Sequence, residues 1–528
     1  MANWDGGYVT DIPYTNHFHR ETTPVWIATA CTLLGFGAPD IGRPFRYADL
    51  GCGNGLTALV VAATMPHAEV WGFDFNPAHV EAGRDMARRA GLTNIRFQEA
   101  SFEEMAALAP DALPEFDYIV AHGILSWVSR ENHAHLFRVA GQRLAAGGVM
   151  YLSYNVATGW IGVPPVQTLM RLLGEVSGVD SAASAAGILQ TLESMKEAGA
   201  AMFAVHPTVL PQLTEVLASG ERYFAHEILN RNWHLMMFET VARSMAAAKC
   251  DYLGNATLSE NHDGLLTPAI RELAASVGGR AIKETLRDLG TGIRFRRDLF
   301  QRGTRRLQPP EHRRAMGVLS LFRTAKASPE TFLFEGAGGS VAVTEAIYRP
   351  LLAQLQNGPV TVDALVAGAA ARGHNAATVF EVLTMFLNGA YVEPLLTEPP
   401  AQGAIDASAR LTAVFSEMFD LGQDYPLLAV PAAGTGFNTD SPVVMALGEL
   451  RAGRAADAAG LTDAIVNRIR GSGRHPFKNG QAVSDPVVLA EIVGTAVRGM
   501  LENDLRWMQL LGVLNNTASP SSGGFGKG

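Results

Sequence analysis

The chain has 528 residues, 48% of them hydrophobic, with 42 basic residues against 51 acidic ones and a formal charge of −9. That length supports several domains with their own cores, while the acidic balance argues against a broad electrostatic grip on nucleic acid. Cys31, Cys52 and Cys250 are too few and too scattered for a disulfide framework or a tetrahedral zinc site, so no metal is expected. No apolar run approaches the roughly 20 residues of a membrane span, and MANWDGGYVTD is no signal peptide, so a cytoplasmic protein without membrane attachment is expected.

The first informative segment is RYADLGCGNG, residues 46 to 55. An apolar strand ends in Asp49 and passes into Gly51, Gly53 and Gly55, the residues a chain needs where it turns sharply and lets a ligand lie on bare backbone. LTALVVAATM then reads as a helix whose free N–H groups face the same loop. EVWGFDF (69 to 75) is a second strand ending in Asp74, at roughly the 20-residue offset of a ribose-hydroxyl acceptor. Asn76 and Pro77 open the next helix, which runs to Gly91.

Further strands are expected at 95 to 100, 115 to 123 and 149 to 155, with a helix at 131 to 145 and a turn at Gly147 and Gly148. Alternation of this kind predicts a Rossmann-like, doubly wound parallel sheet with helices on both faces. Ligands of such sheets bind beyond the carboxyl ends of the strands, where Asp49, Asp74, Ser101, His122 and Asn155 fall. The candidate cofactor-binding residues are Asp49, Gly51, Cys52, Gly53, Gly55, Asp74, Phe75, Ser101, Phe102, His122 and Gly123.

The loop is neither G-x-G-x-x-G nor a P-loop with Gly-Lys-Ser/Thr. Asp49 before the first glycine repels phosphate but attracts the amino end of a zwitterionic amino acid. S-adenosylmethionine is therefore the favoured cofactor, with NAD as the alternative.

The order DLGCGNG, FDFNP, FDYIVAHGILSWV and YLSYNVATGW resembles the class I S-adenosylmethionine methyltransferases. More narrowly, His122, Gly123, Ser126, Trp127 and Val128, then Tyr151, Ser153, Tyr154, Asn155, Gly159 and Trp160, resemble the bacterial protein lysine methyltransferases of the rickettsial outer-membrane-protein type. YVTDIPYTNHF resembles that family's Tyr-rich leader, and RYFAHEILNRNWHLMMFETVARSM (222 to 245) resembles the signature of a methyltransferase regulatory domain. The resemblance implies a lysine side chain of a protein as methyl acceptor, and a homodimer. A small-molecule N- or O-methyltransferase and a cofactor-sensing binding protein are the alternatives.

Beyond residue 160 Ala-rich helical segments dominate, with apolar spacing such as Leu213, Val216 and Leu217 that signals packing. The Arg-dense stretch 294 to 314 reads as a solvated linker and helix face. Residues 330 to 395 follow a winged-helix order, but the recognition helix from Ala376 to Asn388 has no Lys or Arg for phosphates, so protein docking is expected there. TEPPAQG (397 to 403) is a Pro-rich linker, and the Gly/Ser-rich terminus is expected to be disordered. The expected domains are a methyltransferase domain (1–165), a helical regulatory domain (166–300), a winged-helix-like domain (301–398), a C-terminal α+β domain (399–515) and a tail (516–528).

An activated sulfonium methyl needs a nucleophile held about 3 Å away and in line, and a lysine acceptor must first lose a proton. Tyr14, His122, Trp127, Tyr154 and Asn155 are the candidate catalytic residues: the aromatics, with Trp160, as walls for a cation, Asn155 to orient the amine, and His122 as a base. His17, His19, His133 and His135 are expected at the surface rather than on a metal.

Overall fold

The computed structural model describes residues 16–324, 332–336, 339–343, 345–473, 477–478, 481–483 and 485–514. Tyr14 and the tail 516–528 lie outside the described residues.

Helix α1 (Pro24–Leu33) precedes an alternating series: β1 (Arg46–Leu50), α2 (Leu56–Thr64), β2 (Glu69–Asp74), α3 (Pro77–Arg89), β3 (Ile95–Glu99), α4 (Phe102–Ala107), β4 (Phe116–Ala121), α5 (Arg130–Arg143) and β5 (Leu144–Asn155). The strands pair in parallel, and β1 and β4 are buried along nearly their whole length because helices cover both faces. Local chemistry marks the boundaries. The Asn76 side chain caps α3 ahead of Pro77, and Ser101 with Glu104 forms a capping box on α4.

The following region is helical, as expected: α6 (Val163–Val176), α7 (Ser181–Glu197), α8 (Ala201–Val205), α9 (Val209–Ala218), α10 (Glu221–Ile228) and α11 (Phe238–Ala247). It also holds two strands that its composition hides. β6 (Cys250–Asn255) and β7 (Phe295–Arg302), separated by α12 (Pro268–Ser276) and α13 (Arg280–Thr291), join the catalytic sheet in the order β3-β2-β1-β4-β5-β7-β6. β7 runs antiparallel to both β5 and β6. The boundary expected at 165 therefore falls within the span of one continuous sheet. Within the Arg-rich stretch 294 to 314, Phe295–Arg302 is a largely buried strand rather than a solvated face, whereas residues 303 to 314 lie at the surface as expected. The strand's buried arginine, Arg296, is tolerated because carboxylates meet it. Arg296 binds Asp298 at 3.0 Å, Asp288 at 2.6 Å and Glu284 at 3.0 Å.

After α14 (Pro309–Gly317), a small sheet forms from β8 (Ser320–Arg323), β11 (Val360–Thr361) and β12 (Val392–Leu395). Helices α15 (Glu345–Gln354), α16 (Val362–Ala370) and α17 (Ala376–Asn388) accompany it in the winged-helix order. The first strand of that sheet is β8, whereas the expected strand at 332 pairs with its own neighbour as a hairpin of β9 (Phe332–Gly336) and β10 (Gly339–Val343).

Helix α18 (Gln402–Met418) starts within the stretch read as linker and packs along α2 and α3. The hairpin β13 (Leu427–Val430) and β14 (Thr435–Asn438) precedes α19 (Ser441–Arg451), α20 (Ala458–Gly471) and α21 (Pro486–Gly499). These elements share one apolar core with the outer face of the catalytic sheet. Among the described residues no helix is long and apolar enough to cross a membrane.

Candidate active site

The strand order reverses between β1 and β4, which opens a crevice at their carboxyl ends. A cavity of about 610 Å³ occupies it, walled by the loops that follow β1, β2, β3 and β4. Asp49, Gly51, Cys52, Gly53, Asp74, Phe75, Ser101, Phe102, His122, Gly123 and Trp127 all line it. The loop after β1 is clamped onto β2, because the N–H groups of Gly51 and Cys52 both donate to the Phe73 carbonyl, at 2.7 and 2.9 Å.

Asp74 holds the loop from the other side. One carboxylate oxygen accepts the Gly53 N–H at 2.8 Å; the other accepts the Asn76 N–H at 2.9 Å and meets His79 Nδ1 at 3.2 Å. Gly53 has φ +55° and open space where a Cβ would stand, so its backbone is bare toward the cavity.

Gly55 does a different job from the one expected. It does not line the cavity; with φ +74° it caps α2, and a Cβ there would fall 2.1 Å from the Phe97 ring. The glycine is required by packing rather than by a ligand.

Asp49 is buried, and among the described residues its carboxylate accepts no hydrogen bond. Burial, and then the Asp74 charge, push its carboxyl up to about 7. An uncompensated acid at the cavity wall suits a cationic amino group, and Asp74 suits a pair of sugar hydroxyls. The residues present therefore fit an adenosyl amino-acid cofactor: Asp49 for the amino group, Asp74 for the ribose, and the bare backbone from Gly51 to Gly53 between them. Burial, and then the charges of Asp49 and Asp74, hold the thiol of Cys52 in this loop well above the ordinary range.

His122 stands at the end of β4 and is held neutral, well below its usual value, by burial first and then by His19 and Arg297. Tyr151 meets its Nδ1 at 2.8 Å. Arg297 bonds the same tyrosine, and Ser153 Oγ lies 3.4 Å from Nδ1. Nδ1 is thus engaged within the protein. The ring forms part of the wall, stacked on His19 with centroids 3.9 Å apart.

His19, expected at the surface, is a cavity residue whose pKa falls to about 4, chiefly through burial. His17 and Asn16 of the same leader also line the cavity, and Asn54 of the loop donates to Asn16 at 3.2 Å. The His- and Asn-rich run after Tyr14 was the signal that reasoning from isolated histidines passed over.

Three expected acceptor residues lie elsewhere. Tyr154 is fully buried and donates to Asp298 at 2.5 Å, inside the Arg296 cluster. Side chains alternate along β5, so Tyr154 faces the layer of β7 and α13 instead of the crevice. Asn155 is buried outside the cavity, where its N–H donates to Ser126 Oγ at 2.7 Å and its carbonyl accepts from Met236 N at 2.8 Å. Trp160 is buried on the Arg294 carbonyl at 2.9 Å. Trp127 keeps a place on the wall, with its indole N–H donating to the Glu227 carbonyl of α10 at 3.1 Å.

Comparison with known proteins extends this picture. The family pattern described as "Methyltransferase domain" matches residues 44–194, and that described as "Predicted methyltransferase regulatory domain" matches residues 220–302. An uncharacterized protein of Synechocystis is 30% identical over 440 residues, covering 82% of this chain and 85% of its own. A trans-aconitate 2-methyltransferase of Methylobacterium radiotolerans is 37% identical over 150 residues, 28% of this chain and 48% of its own. Among solved structures, PKMT2 from Rickettsia typhi in complex with AdoHcy superposes with a TM-score of 0.68 at 18% identity, covering 94% of this chain and 99% of that one. With the glycine loop, the two acids and the sheet order already in place, the chain belongs to the class I S-adenosylmethionine-dependent methyltransferases that carry a methyltransferase regulatory domain.

Proposed function

We propose that this methyltransferase modifies lysine side chains of a protein substrate. The observation that carries the reading is a fold shared with Rickettsia typhi PKMT2 across 94% of the chain, regulatory and C-terminal segments included. The His122–Trp127 and Tyr151–Trp160 motifs, which resemble those of rickettsial protein lysine methyltransferases, support the same acceptor. AdoHcy, present in that neighbour's structure, is what S-adenosylmethionine becomes when it gives up its methyl group.

The donor supplies an activated sulfonium methyl, so orientation does much of the catalytic work. Asp49 and Asp74 would hold the two polar ends of the donor, with the bare backbone from Gly51 to Gly53 between them. His19, His122 and Trp127 line the cavity as aromatic rings that can meet a cation.

The 37% identity over 150 residues to a trans-aconitate 2-methyltransferase favours a second reading, a small carboxylic acid as acceptor. Labelled methyl transfer into a lysate of cells lacking this protein, separated by size, divides the two. Label in lysine residues of the protein fraction is expected; label confined to small molecules contradicts the proposal.

A further inference from the structure

The leader that lines the donor cavity is held from outside the catalytic sheet. Residues 16 to 19 belong to no helix or strand, His19 is extended with φ −114° and ψ 102°, and a single turn follows at Arg20–Thr22. Asn16, His17, His19 and Thr22 line the cavity, whereas Phe18 and Arg20 do not. Successive side chains of an extended chain point to opposite sides. The far side, which takes Phe18 and Arg20, is the C-terminal half of the protein.

The Phe18 ring packs on Gly436 of β14, where a Cβ would fall 3.2 Å from it, and the Phe18 carbonyl accepts from Asn438 at 3.4 Å. Asn16 donates to the Asp424 carbonyl at 3.3 Å. Arg20 is held most closely. Its guanidinium donates to the Glu393 carboxylate on β12 and to the carbonyls of Leu387 and Asn388, at 2.6 and 3.1 Å, where the end of α17 favours a cation. It also lies 4.2 Å over the Trp26 ring. Glu21 stands 3.7 Å from the same guanidinium, but as the next residue in the chain it ties the leader to nothing else. Glu393 is buried, and burial pushes its carboxyl up to about 7 against the opposing pull of Arg20. Its Oε1 accepts the guanidinium N–H whether the carboxyl is ionised or protonated.

The cavity side of the same turn is equally tight. Thr22 donates to the His19 carbonyl through both its hydroxyl, at 2.7 Å, and its backbone N–H, at 3.1 Å. Its hydroxyl also stands 3.4 Å from that of Thr57 at the start of α2, another cavity residue.

We infer that Glu393 is a positioning residue for donor binding: it fastens Arg20, and through the turn that Arg20 opens it keeps His19 stacked on His122 and Thr22 beside Thr57 at the cavity wall. Glu393 itself does not line the cavity, so it acts through the leader alone. The winged-helix-like segment thereby completes the donor site of the catalytic sheet. The assignment is independent of which acceptor is methylated.

The test uses the full chain and S-adenosylhomocysteine, with affinity measured by calorimetry, global stability by thermal melting, and hydrogen exchange in the peptide that holds Thr22 and Thr23. The amides of these two residues bond to the carbonyls of His19 and Arg20, at 3.1 and 3.0 Å, so their exchange reports the turn. Glu393→Leu is expected to stay folded, to bind about 10-fold more weakly, and to exchange faster in this peptide. Glu393→Gln, which keeps an acceptor for Arg20, is expected to bind within about twofold of wild type. Arg20→Met should lose at least as much as Glu393→Leu, and the double variant no more than Arg20→Met, since both remove one contact. Unchanged affinity in Glu393→Leu and Arg20→Met overturns the assignment. So does a loss in Glu393→Gln equal to that in Glu393→Leu, and so do single losses that add in the double variant. If Glu393→Leu does not fold, Arg20→Met and Glu393→Gln decide by the same criteria.

Discussion

The carboxylate of Asp74 accepts the backbone N–H of Gly53 at 2.8 Å, so the acid at the end of the second strand pins the glycine loop that follows the first. The residue expected to hold the donor's sugar thus also shapes the loop that holds the rest of the donor. Asp74→Ala should weaken donor binding by about 1 to 3 kcal/mol, the usual cost of losing a charged hydrogen bond. Asp74→Asn, which can still accept from Gly53, should lose less. Calorimetry with the demethylated product checks both, and equal affinities in all three proteins contradict the assignment.

Asp49 predicts opposite pH effects on binding and stability. Its folded carboxyl titrates at about 7, against about 3.9 in an unfolded chain. The native state therefore binds more protons between those values, so the burial penalty is absent below about pH 4 and grows as pH rises to about 7. Asp49→Asn should raise thermal stability at pH 8 by about 1 to 3 kcal/mol and leave it unchanged at pH 4. Donor binding needs the ionised acid, so wild-type affinity should fall as pH drops below about 7. Loss of that pH dependence in Asp49→Asn is the expected signature.

Gly55→Ala should damage the fold before it touches the ligand. The new methyl meets the Phe97 ring at 2.1 Å and the backbone must hold φ +74°. A loss of about 1 to 3 kcal/mol follows from overpacking of this kind, and pairing it with Phe97→Leu should restore part of it. Melting curves of the single and double variants decide the matter.

Tyr154→Phe separates a structural tyrosine from an acceptor wall. Removing its hydroxyl leaves Asp298, whose carboxyl burial has pushed up to about 6, short of one donor. Stability should fall by about 1 to 3 kcal/mol, with the KM for donor and acceptor unchanged. A raised acceptor KM at unchanged stability contradicts this placement.

The strands, the glycine loop and its two acids were legible because each depends on neighbours in sequence. A strand end, a turn and a cap announce themselves within a few residues. Tyr154 and Asn155 were misplaced because what covers each face of their strand is set by chain far away in sequence, Phe295–Arg302 and the segments around it; Trp160, beyond the strand, is held by the carbonyl of equally distant Arg294. The arginines of Phe295–Arg302 look solvated in sequence, since only the fold shows that Asp298, Asp288 and Glu284 converge on Arg296. His19 was missed for a related reason: its partner in the stack, His122, is distant in sequence.

The central claim is that the crevice between Asp49 and Asp74 holds the methyl donor. A crystal structure of the protein grown with S-adenosylhomocysteine tests it most directly. The predicted density lies along Gly51 to Gly53, with the ribose hydroxyls on Asp74 and the amino group at Asp49. Ordered density at another site, with this crevice empty, contradicts the account.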